Sequence, residues 1–267
     1  MRGAFMKQPK KRRVVYLIPN LLTTGNLFSG LASILFVFGG DYGPAAIAIL
    51  VAIVFDVLDG TSARLMKSTS DFGLQYDSLA DVVAFGVAPG LLMYSWALSS
   101  PKMLGAAVMF AFVACGALRL ARHNVLATTG GDGKPFTGLP IPGAAGVMAT
   151  LVIFDHHVAP LGEKVKPILG IVLTLVLAFL MVSTVRYRSL KELKTQEHYL
   201  FNFLVYTVLA LITVIAALQF VHPAAIIFAV FAIYALSGVV EQGWKFFAGL
   251  GRTEAESQEK PSQMPME

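Results

Sequence analysis

The sequence predicts an all-α protein that crosses the lipid bilayer about eight times. Three observations carry that prediction. The 267 residues are 56% hydrophobic and only 14% charged, with a mean hydropathy of +0.68, whereas soluble domains carry about 25% charged residues. The apolar residues gather into runs of about 20, the length of helix needed to cross a hydrocarbon core roughly 30 Å thick. The cations fall almost entirely in alternate links between those runs, and so on one side.

The runs lie at about 20–39, 44–64, 74–98, 103–123, 141–158, 167–186, 200–220 and 223–246. Between them stand residues that turn the chain: Gly39-Gly40 with Pro44, Ser99-Ser100-Pro101, Gly130-Gly131-Asp132-Gly133, and His222-Pro223. The fifth run departs most from the template. Pro140 and Pro142 crowd its start, and Asp155-His156-His157 its end. Met1 to Arg13 holds six cations and no acid. The following apolar run, Leu17 to Gly39, has no small-residue cleavage site, so residues 1–14 read as a retained basic arm on anionic headgroups. The tail, 251–267, is polar and acidic (Glu254, Glu256, Glu259, Glu267) and reads as disordered.

Orientation follows from the cations. The N-terminal arm, Arg64 and Lys67, Arg119, Arg122 and Lys134, Arg186, Arg188, Lys191 and Lys194, and Lys245, Arg252 and Lys260 fall on one side, 18 in all. Only Lys102, Lys164 and Lys166 fall on the other. Both termini are therefore expected in the cytoplasm, in the inner membrane. The net charge of +5 belongs to this distribution, and nucleic acid is not expected as a partner. The single cysteine, Cys115, lies in an apolar run and reads as a small buried hydrophobe.

Against this apolar background stand four aspartates, Asp56, Asp59, Asp77 and Asp81. A carboxylate at bilayer depth costs roughly 2.5–3.5 kcal/mol even on insertion scales. Asp56 and Asp59 share one helical face with Ala63, and Gly73, Asp77 and Asp81 step by four along a second helix. A short link makes the two helices antiparallel neighbours, so both stripes can face one cleft at the cytoplasmic leaflet. Carboxylates with no His or Cys beside them suit hard cations, Mg²⁺ or Mn²⁺. Paired ions about 3.5–4 Å apart are a recurrent device for phosphoryl transfer. Gly60, Ala63 and Gly73 clear room for a nucleotide or diphosphate, and Arg64 sits at the rim where its fork can bind phosphate. Small residues and a terminal Arg also serve as packing contacts and snorkelling anchors. A carboxylate-lined cation transporter is the rival from another class, but it predicts acids spread across the bilayer.

The pattern D-x-x-D-G-x-x-A-R, eight residues, G-x-x-x-D-x-x-x-D, from Asp56 to Asp81, resembles the signature of the CDP-alcohol phosphotransferases at every fixed position. The segments IPNLLTTGNLFSG (Ile18 to Gly30), DSLADVVAFGVAPG (Asp77 to Gly90), RLARHN (Arg119 to Asn124) and FTGLPIPGAAG (Phe136 to Gly146) resemble its phosphatidylserine synthase branch. His123 stands where that branch commonly has an aromatic. The resemblance implies a six-helix catalytic core over 15–190, two further membrane helices over 191–250, and a homodimer. It implies transfer of the phosphatidyl group from CDP-diacylglycerol to L-serine with release of CMP. By position, Asp56, Asp59 and Asp77 would bind metal with Asp81 also near. Asp81 would be the general base, and Gly60, Ala63, Arg64 and Gly73 would line the CDP pocket. Serine's carboxylate requires a cation, for which Arg119 and Arg122 are the candidates. The nearest rivals are glycerol 3-phosphate and inositol phosphate as acceptors, which demand a denser cationic pocket than FTGLPIPGAAG offers. None of the five histidines has Lys two residues later, so the phosphohistidine route is excluded and direct displacement is expected.

Three other features read as structural. Glu241 lies about one turn from Lys245, His156-His157 falls on the side away from the aspartates, and Phe201, Phe203, Tyr206 and Trp244 suit interfacial belts.

Overall fold

The computed structural model describes residues 17–65, 70–99, 102–128, 138–158, 160–183 and 225–237. Among these residues the chain is helical with no strand. We number the helices α1 (Leu17–Gly39), α2 (Tyr42–Leu65), α3 (Asp71–Leu98), α4 (Lys102–Thr128), α5 (Ile141–His157), α6 (Val165–Val182) and α7 (Ala225–Ser237). The predicted seventh span, the remainder of the eighth with Glu241, Lys245 and Trp244, and the basic arm lie outside the described residues.

Five helices, α1, α2, α3, α4 and α6, are long and apolar enough to cross a membrane. Their outward faces carry exposed Phe28, Phe38, Phe110 and Phe179, each 70% exposed or more. That distribution is the reverse of a soluble core and matches lipid as the surrounding solvent. Helix α5 differs. Its 17 residues are buried on nearly all sides, and at 1.5 Å per residue it reaches only about 25 Å. It is the central post of the bundle, held by α2, α3 and α6. Its small residues Gly143, Ala144, Ala145 and Gly146 let neighbours approach.

Where the chain turns, the local chemistry is specific. Gly40 takes φ +83 after α1, where its N–H reaches the Val37 carbonyl (3.0 Å) and that of Asp41 the Phe36 carbonyl (2.9 Å). A left-handed residue closing a helix in this way is glycine's usual task. Gly138 also has φ +83 and lies against the Met181 carbonyl, leaving no room for a Cβ. The next residue, Leu139, bonds the Leu180 carbonyl (3.0 Å) and so ties the start of α5 to the end of α6.

Helix α3 is not uniform. It is α-helical over Asp71–Asp81, widens to π over Val82–Val87, returns to α over Ala88–Met93 and widens again over Tyr94–Leu98. The sequence reading expected a plain helix here. Pro89 supplies the physical reason for the first wide segment: its ring blocks an α-type bond to the residue four before it, and a wide turn ahead of it relieves that conflict. The wide segment begins at the residue after Asp81.

Hydroxyls inside the bundle fold back on helix carbonyls. Ser29 bonds Gly25 (2.8 Å) and Thr150 bonds Gly146 (2.6 Å), as required where no water is available. At the end away from the aspartates, Asp155 accepts from Trp96 Nε1 (3.1 Å), Lys166 Nζ (2.8 Å) and the Leu161 N–H (2.5 Å). That carboxylate locks the ends of α3, α5 and α6 together. His156 and His157 lie beside it, edge to face and exposed, with no part in the aspartate cluster. Cys115 is free and half-buried.

Helices α1 and α3 pack closely at Gly30. A Cβ there would lie 2.6 Å from Ala84 Cα and 2.8 Å from its Cβ. Gly30→Val is therefore expected to lose about 1–3 kcal/mol by overpacking, read as a lower thermal unfolding midpoint in detergent. Gly162→Ala, with nothing within 4 Å, serves as the unchanged control.

Candidate active site

Four helices deliver polar groups to one end of the bundle. The first turns of α1 bring Thr23 and Asn26, the last turns of α2 Asp56, Asp59 and Gly60, the first turns of α3 Asp77 and Asp81, and the last turns of α4 Arg119 and Asn124. This is the antiparallel meeting of the two aspartate stripes that the spacing predicts.

Asp56, Asp59 and Asp77 each present a carboxylate oxygen such that the three atoms lie within 4.8 Å of one another. Three carboxylates thus converge in an apolar bundle, with Arg119 in electrostatic reach of Asp56. Asp77 Oδ1 is buried and accepts no hydrogen bond. A buried acceptor without a partner, beside two more carboxylates, is what an oxygen-ligated divalent cation satisfies. The donor set therefore fits a metal of that class. Asp81, one turn beyond Asp77 and 6% exposed, is outside this group of three but in electrostatic reach of all of them, and accepts from Asn26 Nδ2 at 3.0 Å.

The remaining partners come from helices that the aspartate signature does not include. Thr23 Oγ1 lies 2.8 Å from Asp59 Oδ2 and 3.1 Å from the Pro19 carbonyl. Its single proton goes to the nearer, charged acceptor. The Gly60 N–H also bonds Asp59. On the α4 side, Asn124 Nδ2 donates to Ser78 Oγ (2.9 Å) and Gln75 Oε1 (3.3 Å), and Ser78 bonds the Leu74 carbonyl (3.1 Å). That network fixes the turn of α3 between Asp77 and Asp81.

The other expected residues divide. Gly73 lies in the first turn of α3, its N–H capped by Ser70 Oγ at 3.0 Å, with Asn20 Oδ1 3.7 Å from where a Cβ would stand. A side chain there meets the cap and α1, so Gly73 has a packing role besides the pocket role expected of it. Ala63 and Arg64 sit on the last turns of α2, and their side chains lie outside the described residues. Arg119 is partly buried and interacts electrostatically with Asp81, Asp56 and Tyr234, whereas Arg122, three residues on, is exposed. Of the two candidate cations, the structure brings Arg119 to the carboxylates.

Sequence reasoning assigned no role to Thr23, Asn26, Ser78 or Asn124. A signal was present: Thr23, Asn26 and Ser33 recur at helical spacing in an otherwise apolar run, and all three are at most 4% exposed.

A helical membrane bundle with three converging carboxylates on its second and third helices has the donor set of a divalent-cation site. Sequence comparison names its family. The chain matches CDP-alcohol phosphatidyltransferase over residues 16–185 and belongs to that family. It is 36% identical over 233 residues to a CDP-diacylglycerol–serine O-phosphatidyltransferase of Helicobacter pylori strain J99, covering 87% of this chain and 92% of the relative. The enzyme of that name from Bacillus subtilis is 33% identical over 175 residues, 66% of this chain and 92% of the relative. An archaetidylserine synthase of Methanothermobacter thermautotrophicus is 42% identical over 154 residues, covering 57% and 64%.

The three-carboxylate cluster makes binding measurable without turnover. Mn²⁺ titrated into detergent-purified protein and followed by the resonance of the free ion should be taken up. Asp59→Asn should weaken uptake at least tenfold, and Thr23→Val by about 10–100-fold, the usual effect of removing a group that orients a metal ligand.

Proposed function

We propose that this protein transfers the phosphatidyl group of CDP-diacylglycerol to the hydroxyl of L-serine, releasing CMP, by direct displacement at the cytoplasmic leaflet of the inner membrane. The observation that carries the reading is the convergence of Asp56, Asp59 and Asp77 within 4.8 Å, with Asp81 one turn away and Arg119 in electrostatic reach. The named relatives support serine as the acceptor.

In this reading Asp56, Asp59 and Asp77, with Asp81 near, hold Mg²⁺ or Mn²⁺, as a pair of ions. A divalent cation held by these carboxylates would supply positive charge to neutralise the diphosphate and the leaving phosphate oxygen. Asp81 is the general base. Its Oδ1 is engaged by Asn26, which leaves Oδ2 for the serine hydroxyl. The hydroxyl proton passes to Asp81 as the serine Oγ–phosphorus bond forms. The bond from phosphorus to the CMP oxygen breaks, and CMP leaves with that electron pair. Serine is a weak nucleophile at neutral pH, and a positioned base addresses that barrier. Gly60, Ala63, Arg64 and Gly73 line the CDP pocket, and Arg119, with Arg122 further out, receives the serine carboxylate. A site at the leaflet surface lets a lipid donor and a water-soluble acceptor meet without either crossing the membrane.

Residues 15–190 form the catalytic core in this reading, 191–250 add two membrane helices, 1–14 and 251–267 flank them, both termini are cytoplasmic, and the enzyme works as a homodimer.

One assay tests the assignment. Purified protein with CDP-diacylglycerol and Mg²⁺ or Mn²⁺ should release CMP with L-serine, and chelator should abolish the release. Release only with glycerol 3-phosphate or inositol phosphate would sink the serine assignment, and a phosphatidylated protein formed with donor alone would sink direct displacement. Asp81→Asn should lower kcat by about 10²–10⁴-fold, the usual share of a general base, while CDP-diacylglycerol still binds. Retained turnover would remove Asp81 from the base role.

A further inference from the structure

Asn26 lies on α1, outside the aspartate signature, and is 0% exposed. Its two polar atoms are treated differently. Nδ2 donates to Asp81 Oδ1 at 3.0 Å, while Oδ1 is buried and accepts nothing. A carboxylate only accepts, so the amide nitrogen must face Asp81 and the amide oxygen must point elsewhere. An amide placed only to brace Asp81 would have its oxygen satisfied by a neighbour, because a buried polar atom without a partner is costly. Nearby hydroxyls are committed: Thr23 to Asp59 and Ser29 to Gly25.

The atoms left open around Asp81 therefore share one character. Asp81 Oδ2 and Asn26 Oδ1 accept only. Asp81 Oδ2 takes the acceptor hydroxyl in the reading above, and the group that complements Asn26 Oδ1 is one that only donates, an ammonium. Arg119, in electrostatic reach of the same carboxylate, only donates and complements a carboxylate. The surroundings of Asp81 thus match a small zwitterion with a hydroxyl between its charges.

We propose that Asn26 is a specificity-determining residue for the acceptor: its amide nitrogen aims the proposed base, and its carbonyl Oδ1 receives the acceptor's α-ammonium. The inference rests on the serine reading above and assigns the subsite that separates serine from hydroxy acids of the same size. A phosphorylated acceptor, which has no ammonium, leaves Asn26 Oδ1 without a partner.

The test compares L-serine with 3-hydroxypropanoate, which is serine without its amino group, in the full-length protein with CDP-diacylglycerol and Mn²⁺. Wild-type protein should prefer serine in kcat/KM by about 100-fold or more, since a site built to bond an N–H rejects the analogue lacking it. Asn26→Leu and Asn26→Ala should each cut that preference at least tenfold, with the KM for CDP-diacylglycerol within threefold of wild type. A wild-type preference below threefold overturns the inference without any variant. So does a loss in both variants that is equal for the two acceptors, the signature of a brace for Asp81 alone. Those results leave the serine reading standing. Release of CMP by wild type only with an acceptor lacking an ammonium removes both.

Discussion

The constraint on which this structure depends is electrostatic. Four carboxylates must be kept at one end of a bundle whose outer surface is apolar. Each is costly there, and the chain meets the cost with neutral donors rather than with paired lysines. Thr23 and the Gly60 N–H serve Asp59, and Asn26 serves Asp81. An ammonium bridging Asp56, Asp59 and Asp77 would neutralise them, and it would also occupy the place of a cation. Hydroxyl, amide and backbone donors fix the carboxylates in direction while leaving their charge in place. The cluster is held in shape and kept electrically hungry, the state that a divalent ion and an anionic substrate require.

The rest of the fold serves that arrangement. Helix α1 must lie close enough to α2 and α3 to reach both aspartate stripes, and Gly30 permits this by admitting the Ala84 backbone. The wide turn beginning after Asp81 re-aims the remainder of α3 around Pro89 while Asp77 and Asp81 stay on a regular α-helical stretch. The far end of the bundle is fixed independently by Asp155, which takes hydrogen bonds from α3, the α5–α6 link and α6. The two ends use opposite logic. Asp155 is neutralised by Lys166 and holds helices together, whereas Asp59 and Asp81 are positioned by the neutral groups Thr23, Gly60 and Asn26.

Chemistry that joins a lipid diphosphate to a small polar alcohol has to take place where both can arrive. In the proposed reaction, carboxylates toward the ends of their helices, rather than midway along them, stand within reach of both a headgroup and a water-soluble alcohol. A carboxylate-lined transport path requires acids along its length, and the four aspartates stand instead at one end of the described helices.

The sequence by itself determined the class of fold, the positions of five membrane-spanning helices to within a few residues, and the two aspartate stripes. Those properties are local: an apolar run needs about 20 residues to cross lipid, and residues three or four apart share a helix face. The meeting of Asp56, Asp59 and Asp77 could be anticipated because one short link makes their helices antiparallel. What only the tertiary structure decided was everything supplied by a third or fourth helix. Thr23 and Asn26 are 36 and 55 residues from the carboxylates they serve, and no spacing rule connects helices that far apart in the chain. The separation of Arg119 from Arg122 arose in the same way. Both end one cationic helix, yet only the packing of α4 turns Arg119 inward and leaves Arg122 exposed. The first wide turn of α3, over Val82–Val87, came from the conflict between Pro89 and the continuous helix that lipid demands around it.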